Sequence, residues 1–211
     1  MTIATASLWS EPDGPPAPSL VAIGVSAGGP PALSTLLRGL PGDFPGAVVI
    51  VQHADAPFAL GVAAWLRDQT GRRVRVAVHG DRVEAGTVLL AGRSEHLVFT
   101  SPDVLGYSNA PYDAGFRPSI DVFFDSVIRH WRGEAVGVIL TGMGSDGAAG
   151  LKAMRTRGLY TIAQDEASSA ACGMPRAAAA IDAAVDVLPL EAIAPRPVEA
   201  LGQPANRCVN T

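Results

Sequence analysis

At 211 residues the chain can bury one sizeable core and has little room for a second full domain. Its formal charge of −4, with no local cluster of Lys and Arg to reverse it, gives no general attraction to nucleic acid or anionic lipid. A composition of 48% hydrophobic, 17% charged and 6% aromatic residues suits a helix-covered sheet better than a coiled coil or a disordered chain.

Met1 to Ser19 has no basic start and no long apolar stretch, and it carries Glu11, Asp13 and four prolines, so it reads as a flexible leader and not as a secretory signal. Leu20 to Val25 is a short buried strand, Pro30 to Leu40 a helix opened by proline with Leu33, Leu36, Leu37 and Leu40 at helical spacing, and Ala47 to Val51 a second strand. Strand, helix, strand in this order is a βαβ unit with parallel strands and a right-handed crossover. Phe58 to Gln69 follows as an amphipathic helix ending at Gly71. Val74 to Val78 and Thr87 to Leu90 then read as strands of a small β-rich insertion.

Residues 100 to 118 hold Pro102, Gly106, Pro111, Gly115 and Pro118, a loop long enough to form one wall of a cleft. Ser119 is a good N-cap for a helix to Trp131 with Ile120, Phe123, Phe124, Val127 and Ile128 on one face, and Ala135 to Leu140 is a buried strand. A helix over Gly147 to Arg157, a strand over Tyr160 to Ala163, an Ala-rich helix from Pro175 to Ala184 and a strand over Val185 to Leu188 complete the alternation. The stretch from 194 to 211, with Pro195, Pro197 and Pro204, reads as a tail. The pattern predicts an α/β fold: one doubly wound, mostly parallel sheet flanked by helices over residues 20–193.

Three turns carry the chemistry. Ser26 in Gly24-Val25-Ser26-Ala27-Gly28-Gly29, His53 after Gln52, and Asp146 in Thr141-Gly142-Met143-Gly144-Ser145-Asp146-Gly147 each lie just past a strand, so parallel strands would bring all three to one sheet edge. A serine hydroxyl needs a base to become a nucleophile, and the base needs a third group to hold its tautomer, which these residue types supply. The order Ser, His, Asp differs from the Ser, Asp, His order of α/β-hydrolases. On pattern alone, a glycine turn opening a helix in a βαβ unit also suits a phosphate, which leaves a nucleotide-binding module as an alternative. Against it, serine replaces the second glycine of the usual fingerprint, and Gln52-His53 stands where an acidic residue belongs.

Arg117 and Asp121, four apart across a helix start, suit a local ion pair or cap that holds the long loop better than they suit recognition of acidic groups on a partner. Of the remaining histidines, His79 and His130 have the polar neighbours of surface positions, and His96 is a candidate for lining the cleft. Trp65 and Trp131 lie on helices among apolar neighbours and fit core or half-buried positions. No pair of histidines has metal-ligand spacing, and Cys172 and Cys208, the only cysteines, make neither a disulfide framework nor a metal quartet. No apolar run approaches the ~18 residues of a membrane span, so a cytoplasmic location is expected.

Ile23 to Pro30, Val51-Gln52-His53, Arg117 to Phe124, Val136 to Ala148, Ala163 to Ser168 and Gly173-Met174-Pro175 together resemble, in order, the CheB-type chemoreceptor methylesterase domain. That family removes methyl groups from glutamate methyl esters on the cytoplasmic helices of chemoreceptors and also deamidates receptor glutamines. The resemblance implies Ser26 as nucleophile, His53 as general base and later acid, and Asp146 as the carboxylate orienting the imidazole. The backbone N–H groups of Ala27 and Met143 would be the oxyanion donors. It implies no cofactor and no metal, and a methylated chemoreceptor as protein substrate. Many relatives carry an amino-terminal receiver, for which the residues before the first strand are too few, so the chain is expected to be either ungated or gated by another chain, such as a separate regulatory receiver protein. A catalytically idle adaptor with the same fold is the further alternative. Where relatives often have Met and Pro-Pro-Gly-Phe after the histidine, Ala54-Asp55-Ala56-Pro57-Phe58 stands here. Arg93-Ser94-Glu95-His96 lacks their Pro-Gly.

Overall fold

Strand β1 (Leu20–Val25) is apolar on both faces, and so are β2 (Ala47–Gln52) up to its last residue and β7 (Ala135–Ile139), because each is buried on both sides. The computed structural model describes residues 18–202, and its elements continue in chain order as follows. Helix α1 (Gly29–Gly39) lies between β1 and β2, and α2 (Ala56–Thr70) leads to β3 (Arg73–Val76) and β4 (Thr87–Leu90). A hairpin of β5 (His96–Ser101) and β6 (Val104–Ser108) precedes α3 (Ile120–His130) and β7. Then come α4 (Ala148–Thr156), β8 (Tyr160–Gln164), α5 (Gly173–Ala180), β9 (Asp186–Leu188), α6 (Leu190–Ile193) and α7 (Pro195–Gly202).

Seven strands form one sheet in the order β3-β4-β2-β1-β7-β8-β9, every pair parallel. The chain winds outward from β1 in one direction through β2, then returns past β1 to wind outward through β7. Their carboxyl ends therefore diverge at β1, the switch point where such sheets bind ligands. Alternate residues of β1 divide between two cores. Val21, Ile23 and Val25 face α1, α2 and α6, whereas Leu20 and Ala22 face the layer of α3, α4, α5 and the β5-β6 hairpin. The doubly wound α/β fold expected from the alternation is the one the chain adopts. The two strands expected to form a β-rich insertion, β3 and β4, instead extend the main sheet; the pair that stands apart is the antiparallel β5 and β6, and β6 lies within the stretch from 100 to 118 expected to be a loop.

The segment expected to be a tail differs from that expectation as far as it is described. Pro195–Gly202 is helical, with Val198 and Leu201 packed on the α1 side of the sheet. Arg196 anchors the helix through Asp186 (2.6 Å) and Tyr160 (2.8 Å). Residues 203–211, with Cys208, and 1–17 of the expected leader lie outside the described residues. No described helix is long and apolar enough to cross a membrane.

Candidate active site

Ser26 opens the turn between β1 and α1. Its N–H donates to the Thr141 carbonyl (3.0 Å), and its own carbonyl accepts from Gly29 N–H (2.9 Å) and from Gln52 Nε2 (2.9 Å). The same buried amide of Gln52 reaches the His53 carbonyl (3.3 Å), tying the serine turn to the end of β2. Gly29 permits this contact, because a Cβ there would overlap Gln52 Oε1. Gly28 caps α1 at φ 78, a left-handed conformation that favours glycine. From the other side Thr141 Oγ1 donates to the Ala27 carbonyl (2.8 Å) and accepts from Ala171 N–H (2.9 Å).

His53 is held by its N–H on the Val25 carbonyl (3.0 Å), one residue before Ser26. Its Nε2 lies 2.8 Å from Asp146 Oδ2, with both side chains below one-tenth exposed. The amino terminus of α3 closes over the same carboxylate. Ile120 N–H donates to Oδ2 (2.7 Å), while Ser119 Oγ (2.8 Å) and Asp121 N–H (3.2 Å) donate to Oδ1. Gly24 allows α3 so close, since a Cβ there would collide with Ile120. Burial alone would raise the Asp146 carboxyl. The hydrogen bonds from His53, Ile120, Ser119 and Asp121 outweigh it and hold the group below its ordinary value, as a carboxylate. Asp121 goes the other way: burial raises it, and although its carboxylate accepts from Gly150 N–H (2.6 Å), nearby Asp146 adds to the rise.

The other imidazole nitrogen, His53 Nδ1, is buried and has no hydrogen-bond partner among the described residues. With Nε2–H directed at Asp146, Nδ1 carries the lone pair and can accept a proton. The Phe116 ring lies against the imidazole, centroids 4.5 Å apart and planes within 6°. Phe116 belongs to the segment from 109 to 119, which is braced internally. Arg117 donates to Asn109 Oδ1 and to the carbonyls of Asn109 and Tyr112. His96, fully buried, accepts from Ser119 N–H on Nδ1 (3.0 Å) and donates from Nε2 to the Pro111 carbonyl (3.1 Å).

The structure thus brings Ser26, His53 and Asp146 to the ends of three neighbouring strands. The N–H groups of Ala27 and Met143 have no protein acceptor among the described residues, and the Met143 side chain is 68% exposed. His96 does not line a cleft; its burial makes it a brace behind the site. Arg117 and Asp121 do not pair: each turns to a backbone partner, Arg117 to its own loop and Asp121 to α4. Trp131 is buried, but Trp65 is 40% exposed. Trp65 joins Pro30, Pro57, Phe58, Gly61 and Val62 around an apolar depression of about 300 Å³ formed by the openings of α1 and α2. Sequence reasoning missed Gln52, Thr141 and Phe116 as parts of the site, and saw Ser119 only as a helix cap. No group of His, Cys, Asp and Glu able to hold a metal occurs among the described residues.

A doubly wound α/β domain with a serine, a histidine and a buried carboxylate gathered at its switch point is the class that fold and site define. The CheB methylesterase family model matches residues 21–196, and the chain belongs to that family. Two curated relatives carry the name protein-glutamate methylesterase/protein-glutamine glutaminase. One, from Bordetella avium, is 58% identical over 192 residues, 91% of this chain and 56% of that protein. The other, from Burkholderia pseudomallei, is 63% identical over 177 residues, 84% of this chain and 52% of that protein. The chain therefore spans about half the length of the curated relatives it matches. The CheB methylesterase catalytic domain of Thermotoga maritima superposes with a TM-score of 0.81 at 30% identity, covering 85% of this chain and 97% of that one.

Proposed function

We propose that this chain hydrolyses glutamate methyl esters on the cytoplasmic helices of chemoreceptors, and deamidates receptor glutamines by the same route. The observation that carries the reading is the buried His53 ring, with one nitrogen on Asp146 at 2.8 Å and the other unpaired. The family match and the printed names of the relatives support the substrate class.

In this reading Ser26 Oγ attacks the ester carbonyl while His53 Nδ1 takes its proton, and Asp146 stabilises the imidazolium that forms. The developing oxyanion is met by the N–H groups of Ala27 and Met143, each worth about 3–4 kcal/mol of transition-state stabilisation in comparable sites. Collapse breaks the ester C–O bond, and the imidazolium returns the proton to the leaving methoxide, releasing methanol. Water then attacks the acyl-Ser26 carbonyl, gives a proton to His53, and glutamate and free Ser26 are restored. With glutamine the first leaving group is ammonia. The apolar depression between α1 and α2, the helices that follow Ser26 and His53 in the chain, is suited to side chains that flank the ester on a receptor helix.

The test is intact-mass analysis after a fluorophosphonate probe, followed by methanol release from methylated receptor peptides. One adduct on the wild type, none on Ser26→Ala, and methanol from the wild type alone are expected. Release of methanol by Ser26→Ala at the wild-type rate would remove the reading.

A further inference from the structure

Among the described residues Phe116 is the one aromatic side chain stacked on the proposed base, and it comes from outside the three strand-end turns. We infer that Phe116 is a positioning residue for His53: it fixes the plane of the imidazole and steadies the ring when it becomes a cation. The inference rests on the reading of Ser26, His53 and Asp146 as a hydrolytic triad.

Three observations carry it. The rings are nearly coplanar in orientation, 6° apart at a centroid distance of 4.5 Å, so the imidazole cannot tilt out of the plane that contains Nε2 and Asp146 without meeting the phenyl face. Phe116 itself is 43% exposed, so covering His53 is not incidental to filling a core. Its placement is also enforced. Arg117 gathers the Asn109 and Tyr112 carbonyls, and His96 pins Pro111 and Ser119 on either side, so the segment that presents the ring is fixed at both ends.

The chemistry gives the stack a direction. A neutral imidazole gains little from a phenyl face beyond packing. An imidazolium gains an electrostatic attraction to the ring's negative face. Because the imidazolium exists only from proton transfer onward, the gain belongs to the transition state and should appear in the maximal rate and not in binding. Ser119 Oγ, which donates to Asp146, begins the helix that follows the same segment, so one braced stretch governs both faces of the histidine: its ring and its carboxylate partner.

The experiment compares wild type, Phe116→Leu, Phe116→Tyr and Ser26→Ala in two ways. The first is the concentration dependence of fluorophosphonate labelling, which separates the maximal rate from the half-saturating probe concentration. The second is the NMR of the His53 ring protons, which the phenyl ring current moves upfield. Phe116→Leu, similar in bulk but without a π face, is expected to lower the maximal rate roughly 3- to 30-fold with half-saturation unchanged. Its His53 resonances should move downfield, and Phe116→Tyr should restore both readouts. A Leu variant labelled as fast as wild type, or a Tyr variant as slow as the Leu variant, overturns the inference. Unmoved His53 resonances in the Leu variant overturn it as well, whether or not the protein takes the probe. Failure of the triad reading looks different: wild type takes no probe, or Ser26→Ala takes it equally well.

Discussion

Asp146→Asn preserves the shape of the side chain and removes only its charge, which makes it the sharpest test of what the α3 amino terminus is holding. The His53 and Asp146 side chains are 9% and 8% exposed and 2.8 Å apart, so solvent screens the pair little. For unit charges at about 3–4 Å in an effective dielectric of about 20, the attraction is about 4–6 kcal/mol. That attraction is felt only once His53 carries the serine proton, so its loss raises the barrier and slows labelling of Ser26 by about 10³- to 10⁴-fold. The corresponding change in a serine protease triad costs about 10⁴, in part because the amide favours the wrong tautomer. Stability should suffer far less. Ser119 Oγ, Ile120 N–H and Asp121 N–H lose a charged acceptor and keep a neutral one for two of the three, for about 1–3 kcal/mol in total. Labelling rate and thermal melting are read on the same sample. A loss under about 30-fold in a protein whose melting temperature has fallen would refute the reasoning, because Asp146 would then be a structural carboxylate.

Ser119→Ala removes both a donor to Asp146 and the acceptor for Val122 N–H, and should cost about 1–2 kcal/mol in chemical denaturation with a smaller rate loss than Asp146→Asn. Gly29→Ala drives a methyl into the Gln52 amide; the overpacking, about 1–3 kcal/mol, should lower the melting temperature by roughly 2–12 °C and slow labelling as the Ser26 turn shifts. Asp121→Asn tests a sign. Burial and Asp146 raise the Asp121 carboxyl, so its contribution is favourable below its unfolded value near 3.8 and is lost as pH climbs through the higher folded value. The Asn variant, which keeps an acceptor for Gly150 N–H, should match wild type near pH ~3 and be the more stable of the two at pH ~7; a variant less stable at neutral pH contradicts this.

The strand ends were readable because nothing competed with them. A strand buried on both faces must be apolar throughout, as β1, β2 and β7 are, so the first polar residue after each run marks the sheet edge. Ser26 is itself such a residue, and His53 and Asp146 lie one and five residues past Gln52 and Thr141, the first polar residues after the other two runs. The supporting residues had no comparable signal. Phe116 sits in a segment with no period, and its stacking on His53 depends on a fold-back that local spacing does not encode. His96 is a cleft candidate in the sequence because it falls in a segment that resembles the family, yet its ring is fully buried, bonded to Pro111 and Ser119, both distant in sequence. The spacing rule that paired Arg117 with Asp121 holds within a helix, and Arg117 lies before the Ser119 cap. Pro195 and Pro197 suggested a tail, but a proline in the first turn of a helix gives up an N–H that would have no partner there, and α7 begins on them.

Asp146 lies 93 residues beyond His53 along the chain, and the helix that orients it, α3, is made in between. At about 5–20 residues per second, a ribosome that has exposed the serine and histidine needs roughly 5–20 s more to deliver the carboxylate. During that interval His53 lacks the carboxylate it rests on in the folded chain, and β7 has not yet flanked β1. On the proposed reading, the three residues can meet only once five of the seven strands of the sheet have been made.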